Sequence, residues 1–328
     1  MVRASIVLVV GALLIGCTTG TGPSPAPTAD RPTAVRLPEG AFPRFLTVSA
    51  DGVVWCVENS GESIARLDRN GDLDHFRVPG ESNGLADVTT DPGGAAWFTG
   101  LLLVGRISPD GDLGGWRDEK GGPRVGLPNA LTAGPDGAIW YTNEKTPPAI
   151  SRITAAGTIT DHEIPTTDGL LDLPGITAGP DHALWFTENS TAPGAAQAVG
   201  RMAVDGAYTR FPLSGSGSGP HRITTGPDGA LWFTLLSGAI GRIAVDGALS
   251  EFPLPGGGRP FDITAGYDGA LWFSTDRPAI GRITTNGEIT LHPVEGAKRL
   301  TGIGAAPDGA LWVADGEADA LWRYTPAR

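Results

Sequence analysis

The chain has 328 residues, of which 40% are hydrophobic and 18% charged, with 49 Gly, 28 Pro and a formal net charge of −12. That length suits one large domain or two ordinary ones, and the Gly and Pro content favours many short strands and tight turns over helices. The acidic balance argues against a nucleic-acid partner, because neutralising phosphates takes a basic face.

Residues 1–16 read as a secretory signal: a basic start at Arg3, then an apolar run from Ile6 to Ile15. The run is shorter than the roughly 20 apolar residues that span a bilayer. Leu14-Ile15-Gly16-Cys17 resembles the bacterial lipoprotein cleavage box, which implies lipid attachment at Cys17 and an extracytoplasmic protein held to the membrane by that anchor alone. Residues 17–31 are rich in Pro, Thr, Ser and Gly and read as a flexible tether. The one other cysteine, Cys56, then has no disulfide partner within the chain, and its place in a strand pattern predicts a buried, inert thiol.

From residue 32 onward the sequence repeats itself. "GPDGALWFT" at 226–234 has close copies at 134–142, 179–187, 266–274 and 306–314, and looser ones at 49–57 and 90–99. The repeat tryptophans are Trp55, Trp97, Trp140, Trp185, Trp232, Trp272 and Trp312, spaced 40 to 47 residues apart. That period, with four short strands per unit, is the mark of a propeller blade. In the unit 220–254, "HRITT", "ALWFT", "AIGRIAV" and "ALSEFPL" are the strands, and "GPDG" and "DG" are turns. The domain opens at 32–38 on a fourth-strand sequence and ends at 320–328 on a third-strand sequence. The N-terminal strand is therefore expected to complete the last blade and close the ring, hiding its sheet edges. The expected fold is all-β: a seven-bladed β-propeller over 32–328, a monomer.

Residues that recur in every blade are read as frame. The arginines Arg66, Arg106, Arg152, Arg201, Arg242, Arg282 and Arg323 share one position, which predicts bonds to carbonyls or Asp side chains at the rim. Function is sought where the blades differ, in the loops entering each first strand and those after each second strand, which converge on one mouth of the channel. Two positions before the first-strand aliphatic residue stand Arg44, Ala86, Asn129, Pro174, His221, Phe261 and Thr301. Two positions earlier stand Phe42, Gly84, Leu127, Asp172, Gly219, Arg259 and Arg299. Arg44, Arg259 and Arg299 fall on neighbouring blades, with His221 and Arg222 beside them. Guanidinium forks there suit carboxylate or phosphate. The other reading pairs them with mouth acids, since the second loop type supplies Glu58, Glu144, Glu188, Asp276 and Asp315. Glu58, Asp276 and Asp315 are also the candidate oxygen ligands for a Mg²⁺ ion. Leu101–Leu103, Leu235, Leu236, Phe261 and "GLLDL" at 169–173 bring apolar groups to the same face, and the loop 188–200 is long enough for a flap.

The repeated "ITAGPDGALWFTE"-like and "IGRIT" phrases resemble the virginiamycin B lyase, or streptogramin B lyase, family over essentially all of 32–328. The resemblance implies a seven-bladed propeller. It also implies Mg²⁺-dependent elimination that opens a cyclic depsipeptide at its ester, with a His as base. The family pattern has a mouth Tyr in the first blade, a mouth His in the sixth, Glu-Pro-His in the seventh and a Glu after that blade's second strand. Those places here hold Arg44, Phe261, Arg299-Leu300-Thr301 and Gly316 (with Asp315 adjacent). His221 stands in a family-like "GPHRIT" context one blade early. The expectation is a lipid-anchored, extracytoplasmic propeller that binds a small anionic or amphipathic molecule, or a peptide, at its mouth through Arg44, Asn129, His221, Arg222, Arg259, Phe261 and Arg299. The alternative is a lyase with His221 as base and Mg²⁺ on Glu58, Asp276 or Asp315. A lactone or sugar-ester hydrolase ranks third.

Overall fold

The computed structural model describes residues 32–60, 62–80, 84–117, 125–165, 171–190, 196–213 and 219–327. The expected signal segment, Cys17, the expected tether, residues 169–170 of the "GLLDL" loop and 191–195 of the flap candidate lie outside that set.

Seven antiparallel sheets form a ring, and no helix occurs among the described residues. The first strand of each blade lies innermost and packs against the first strands of both neighbours. Closure follows the expected route. Thr33–Arg36 pairs with Ala320–Tyr324, so the N-terminal strand is the outermost strand of blade 7.

Blade 4 departs from four strands per blade. Pro174 cannot donate to the ladder, so its inner edge splits into Leu171–Asp172 and Ile176–Ala178, both paired with a long second strand, Leu184–Ser190.

The repeated phrase builds the seams. In blade 5, Asp228 Oδ1 accepts the Trp232 indole N–H at 2.9 Å, and Oδ2 accepts the Arg242 Nε–H at 2.8 Å. The same set recurs with Asp136, Asp181 and Asp268. The recurrent arginines thus bond Asp side chains, as their repetition predicts. The glycine that opens each "GPDG" turn has no room for a side chain: a Cβ on Gly226 would lie 2.4 Å from Trp232. Each seam tryptophan packs its apolar face on the next blade, so seven small cores are strung around the ring. Cys56 is fully buried in one of them, and burial, then Glu58, push its thiol pKa up.

The last residue of "ALWFT" has its own task. Thr187 Oγ1 donates to the His221 carbonyl at 2.6 Å and Thr234 Oγ1 to the Phe261 carbonyl at 3.1 Å, each time stitching one blade to the inner strand of the next.

Candidate functional site

Every inner strand except that of blade 4 carries a β-bulge near its start. In blade 1, Pro43 pairs with Glu58 and Leu46 with Cys56, so Arg44 and Phe45 together face the single Val57. A bulge of this kind breaks the two-residue alternation and re-aims side chains. In the six bulged blades two successive residues consequently face the channel: the ring read from the sequence, and the one after it, Phe45, Asp87, Ala130, Arg222, Asp262 and Gly302. The serine and threonine hydroxyls of the second strands take up the freed amides, as Thr234 does for Arg222 at 3.0 Å and Ser274 for Asp262 at 3.0 Å.

An ion pair spans the channel. Arg222 Nη1 of blade 5 donates to Asp87 Oδ2 of blade 2 at 2.7 Å, with both side chains buried. Asp87 Oδ1 accepts the Val88 amide. The Arg222 guanidinium lies 3.5 Å from the centre of the Phe45 ring. Phe45 stacks on Phe261 with centroids 5.5 Å apart, and His221 leans on Phe261 at 4.6 Å. Four side chains from three blades thus make an aromatic and cationic floor. Beneath it Asp262 accepts the amides of Ile263 and, on blade 7, Ile303. Burial pushes the Asp262 carboxyl up to about 6, with the Arg222 charge opposing.

His221 Nδ1 lies 2.8 Å from the Phe261 carbonyl oxygen. A carbonyl only accepts, so Nδ1 carries the proton and Nε2 is left as an acceptor. Burial, then the Arg222 charge, lower the His221 pKa to about 3, with the bond to Phe261 opposing and Arg44 adding to the effect. A neutral imidazole that weakly basic is poorly matched to proton abstraction near neutrality.

Arg44 is exposed above this floor, 5.1 Å from the Phe45 ring. Its pKa is lowered by desolvation first, then by the Arg222 and Arg299 charges, with Asp87 opposing. Arg44 therefore feels the charges of both Arg222, on blade 5, and Arg299, on blade 7. Arg259 is exposed on the loop entering blade 6, and its backbone is tied to Asp276: its amide donates to Oδ1, and its carbonyl accepts the Asp276 amide. Asn129 does not join the cluster: its side-chain amide donates to Glu144 at 2.8 Å. Glu144 also accepts the Leu173 amide, and burial first, then neighbouring Asp172, raise its pKa against the Leu173 and Asn129 donors. The mouth is thus bipolar, cationic at blades 6, 7 and 1 and acidic at blades 3 and 4. Phe42, Leu101, Leu102 and Leu127 stand exposed on the loops of blades 1, 2 and 3. Leu235, expected at the mouth, is instead fully buried.

The acids offered for Mg²⁺ do not fit such a centre. Asp315 is fully buried and accepts N–H donors from Lys298, Arg299, Ala318 and Trp322. Glu58 bonds Ser63 and His75 of its own blade. Asp276 is tied to the Arg259 amide. No three His, Cys, Asp or Glu side chains converge among the described residues.

The model of the virginiamycin B lyase family matches residues 126–327. The chain belongs to that family. Virginiamycin B lyase from Staphylococcus aureus superposes with a TM-score of 0.81 at 32% identity, over 90% of this chain and 99% of that one. A catalytically inactive form of the same enzyme, with quinupristin, gives 0.80 at 32%, over the same shares. Virginiamycin B lyase of Nocardia farcinica is 31% identical over 109 residues, a stretch that covers 33% of this chain and only 38% of that protein. Within this family fold, Arg44, Phe261 and Thr301 occupy the channel positions at which the resemblance expects Tyr, His and His. Thr301 is buried, and its hydroxyl donates to the Pro43 and Ala314 carbonyls.

Sequence reasoning missed Phe45, Asp87 and Asp262. The available signal was the residue directly before each first-strand aliphatic, where aromatic, acidic and basic groups replace the Ala and Gly of other blades.

Proposed function

We propose that this family member is a lipid-anchored, extracytoplasmic binding protein whose channel mouth takes an amphipathic ligand bearing a carboxylate, a peptide or a comparable small molecule. The observation that carries the reading is the Arg44–Arg299 pair: two cations in one field, without ion pairs among the described residues, above a floor of Phe45, Phe261 and His221. The anionic end belongs on the guanidiniums. The apolar part belongs on Phe42, Leu101, Leu102 and Leu127. Donors of a peptide belong on Glu144 and Asp172, across the mouth.

Titration calorimetry with decanoate, below its micelle concentration, tests the site. Arg44→Ala with Arg299→Ala should weaken binding by at least about tenfold, or 1.4 kcal/mol. Unchanged affinity overturns the assignment. For the anchor, Cys17→Ser should move the protein from the membrane to the soluble fraction.

A second reading, linearisation of a streptogramin, is favoured by the likeness to the quinupristin-bearing enzyme and by the free Nε2 of His221. Incubation with quinupristin and Mg²⁺, followed by mass spectrometry for the linear product, decides it; no product with excess Mg²⁺ rules that substrate out.

A further inference from the structure

Six blades cover their seam tryptophan with a ring from their own outermost strand. Phe76 lies on Trp55, Trp116 on Trp97, His162 on Trp140, Phe211 on Trp185, Phe252 on Trp232 and His292 on Trp272, with centroids 5.2–5.8 Å apart. At five seams a hairpin glycine of the next blade closes on that ring. A Cβ on Gly111, Gly157, Gly206, Gly247 or Gly287 would come within 1.9–3.3 Å of Phe76, Trp116, His162, Phe211 or Phe252 respectively. The fold thus holds a planar group between an indole and a glycine.

Blade 7 keeps the walls and lacks the ring. Its outermost strand is the N-terminal one, and Val35, opposite Leu321, stands where Phe252 stands opposite Ile240. Trp312 is partly exposed, while the other six seam tryptophans are 0–2% exposed. Gly71, the matching hairpin glycine of blade 1, has no atom within 4 Å of its Cβ position. A cavity of about 450 Å³ opens between them, lined also by Val35, Arg69, Asp308 and Arg323. It lies among the turns of the face opposite the channel mouth.

The chemistry of the rim indicates what fits. Arg323 is held by Asp308 at 2.8 Å. Asp51 is bonded by Ser49, and Asp68 by Asn70 and the Asp72 amide. Arg69 is exposed, interacts with Asp51 through space, and makes no salt bridge among the described residues. Residues 1–31 contain no Phe, Tyr, Trp or His, so that part of the chain has no aromatic ring to offer. We propose that this slot binds a small aromatic carboxylate, its ring between Trp312 and Gly71 and its carboxylate on Arg69.

The probe is 4-iodobenzoate, used in calorimetry and in a crystal soak, with 4-iodobenzamide as the neutral comparison. The expected result is iodine density beside Trp312, binding at least about tenfold weaker for the amide, and loss of binding in Val35→Phe, which supplies the missing ring. Val35→Phe should also raise the Tm, as cavity filling does. Failure of the benzoate to bind at about 10 mM, some 2.7 kcal/mol of affinity, overturns the proposal. So does iodine elsewhere, equal binding of acid and amide, or binding that survives Val35→Phe. Should Val35→Phe not fold, Trp312→Leu serves: retained iodobenzoate affinity there overturns the site and its loss supports it.

Discussion

At the seam of blade 5, Arg242 meets Asp228 at 2.8 Å beside Trp232, with about a quarter of the Arg side chain in water. In the channel, Arg222 meets Asp87 at 2.7 Å beside Phe45, with about a tenth of it exposed. The two Arg–Asp pairs match in distance and each lies beside an aromatic ring, 5.7 Å from Trp232 and 3.5 Å from Phe45, but they differ in solvent. A rim pair is screened and worth about 0–1 kcal/mol. A buried pair costs much to desolvate, and removing one partner leaves a charge out of water at a cost of about 3–5 kcal/mol. The seams therefore supply geometry, with the full Asp–Trp–Arg set in blades 3 to 6, while the channel pair locks blades 2 and 5 together once.

The largest test of this contrast is Arg222→Met. It should destabilise by roughly 3 kcal/mol in urea unfolding, because Asp87 stays buried with only amide partners. Adding Asp87→Leu should recover most of the loss. If the double variant is as unstable as the single, the buried pair is not the cause.

Acid should separate the two regions by sign. At the seams, burial works to raise Asp136, Asp181, Asp228 and Asp268, but the indole, guanidinium and amide donors outweigh it and hold each pKa below the usual range. Their stabilisation is present above the unfolded-state value of about 4 and is lost as pH falls through the folded values. Asp262 behaves oppositely. Its folded value of about 6 lies above the unfolded one, so its contribution is present below about pH 4 and lost as pH rises through 6. Asp262→Asn should flatten the stability profile between pH 4 and 6 and leave the acid limb intact. Asp228→Asn should soften the acid limb alone. Urea midpoints across pH 3–8 read both, and a shared response of the two variants would erase the distinction.

How much of this was legible follows from the same contrast. The seams were legible because a seven-fold repeat exposes its own requirements. The blade number, the closing strand and the Asp–Arg pairing at the rim all rest on residues that recur at one period. The proximity of Arg299 to Arg44 follows from loop positions on adjacent blades, while Arg259 adds no charge that Arg44 feels. The channel floor was not, because the bulge between Pro43 and Leu46 inserts a residue where a strict two-residue alternation was assumed. Arg222 accordingly reads from sequence as a mouth residue and in the structure crosses the channel to Asp87. The acids after the second strands misled for another reason. Glu58 and Asp315 sit at strand ends that converge on the mouth, yet Glu58 Oε2 and both Asp315 oxygens serve local donors, which sequence spacing does not reveal.

The smallest stability effects mark the boundary between frame and site. Arg242→Met removes a screened pair and should cost no more than about 1 kcal/mol. Arg44→Ala with Arg299→Ala should change stability by less than about 0.5 kcal/mol, because the two guanidiniums repel each other and neither has a salt bridge to lose. Relief of that repulsion should even offset the packing lost over Phe45. The same double variant is the one expected to lose decanoate. A residue pair held for the fold would show the reverse pattern, with stability falling and ligand affinity following only through unfolding. Measuring unfolding and calorimetric binding on one preparation therefore distinguishes a binding site from a structural cluster without knowledge of the natural ligand.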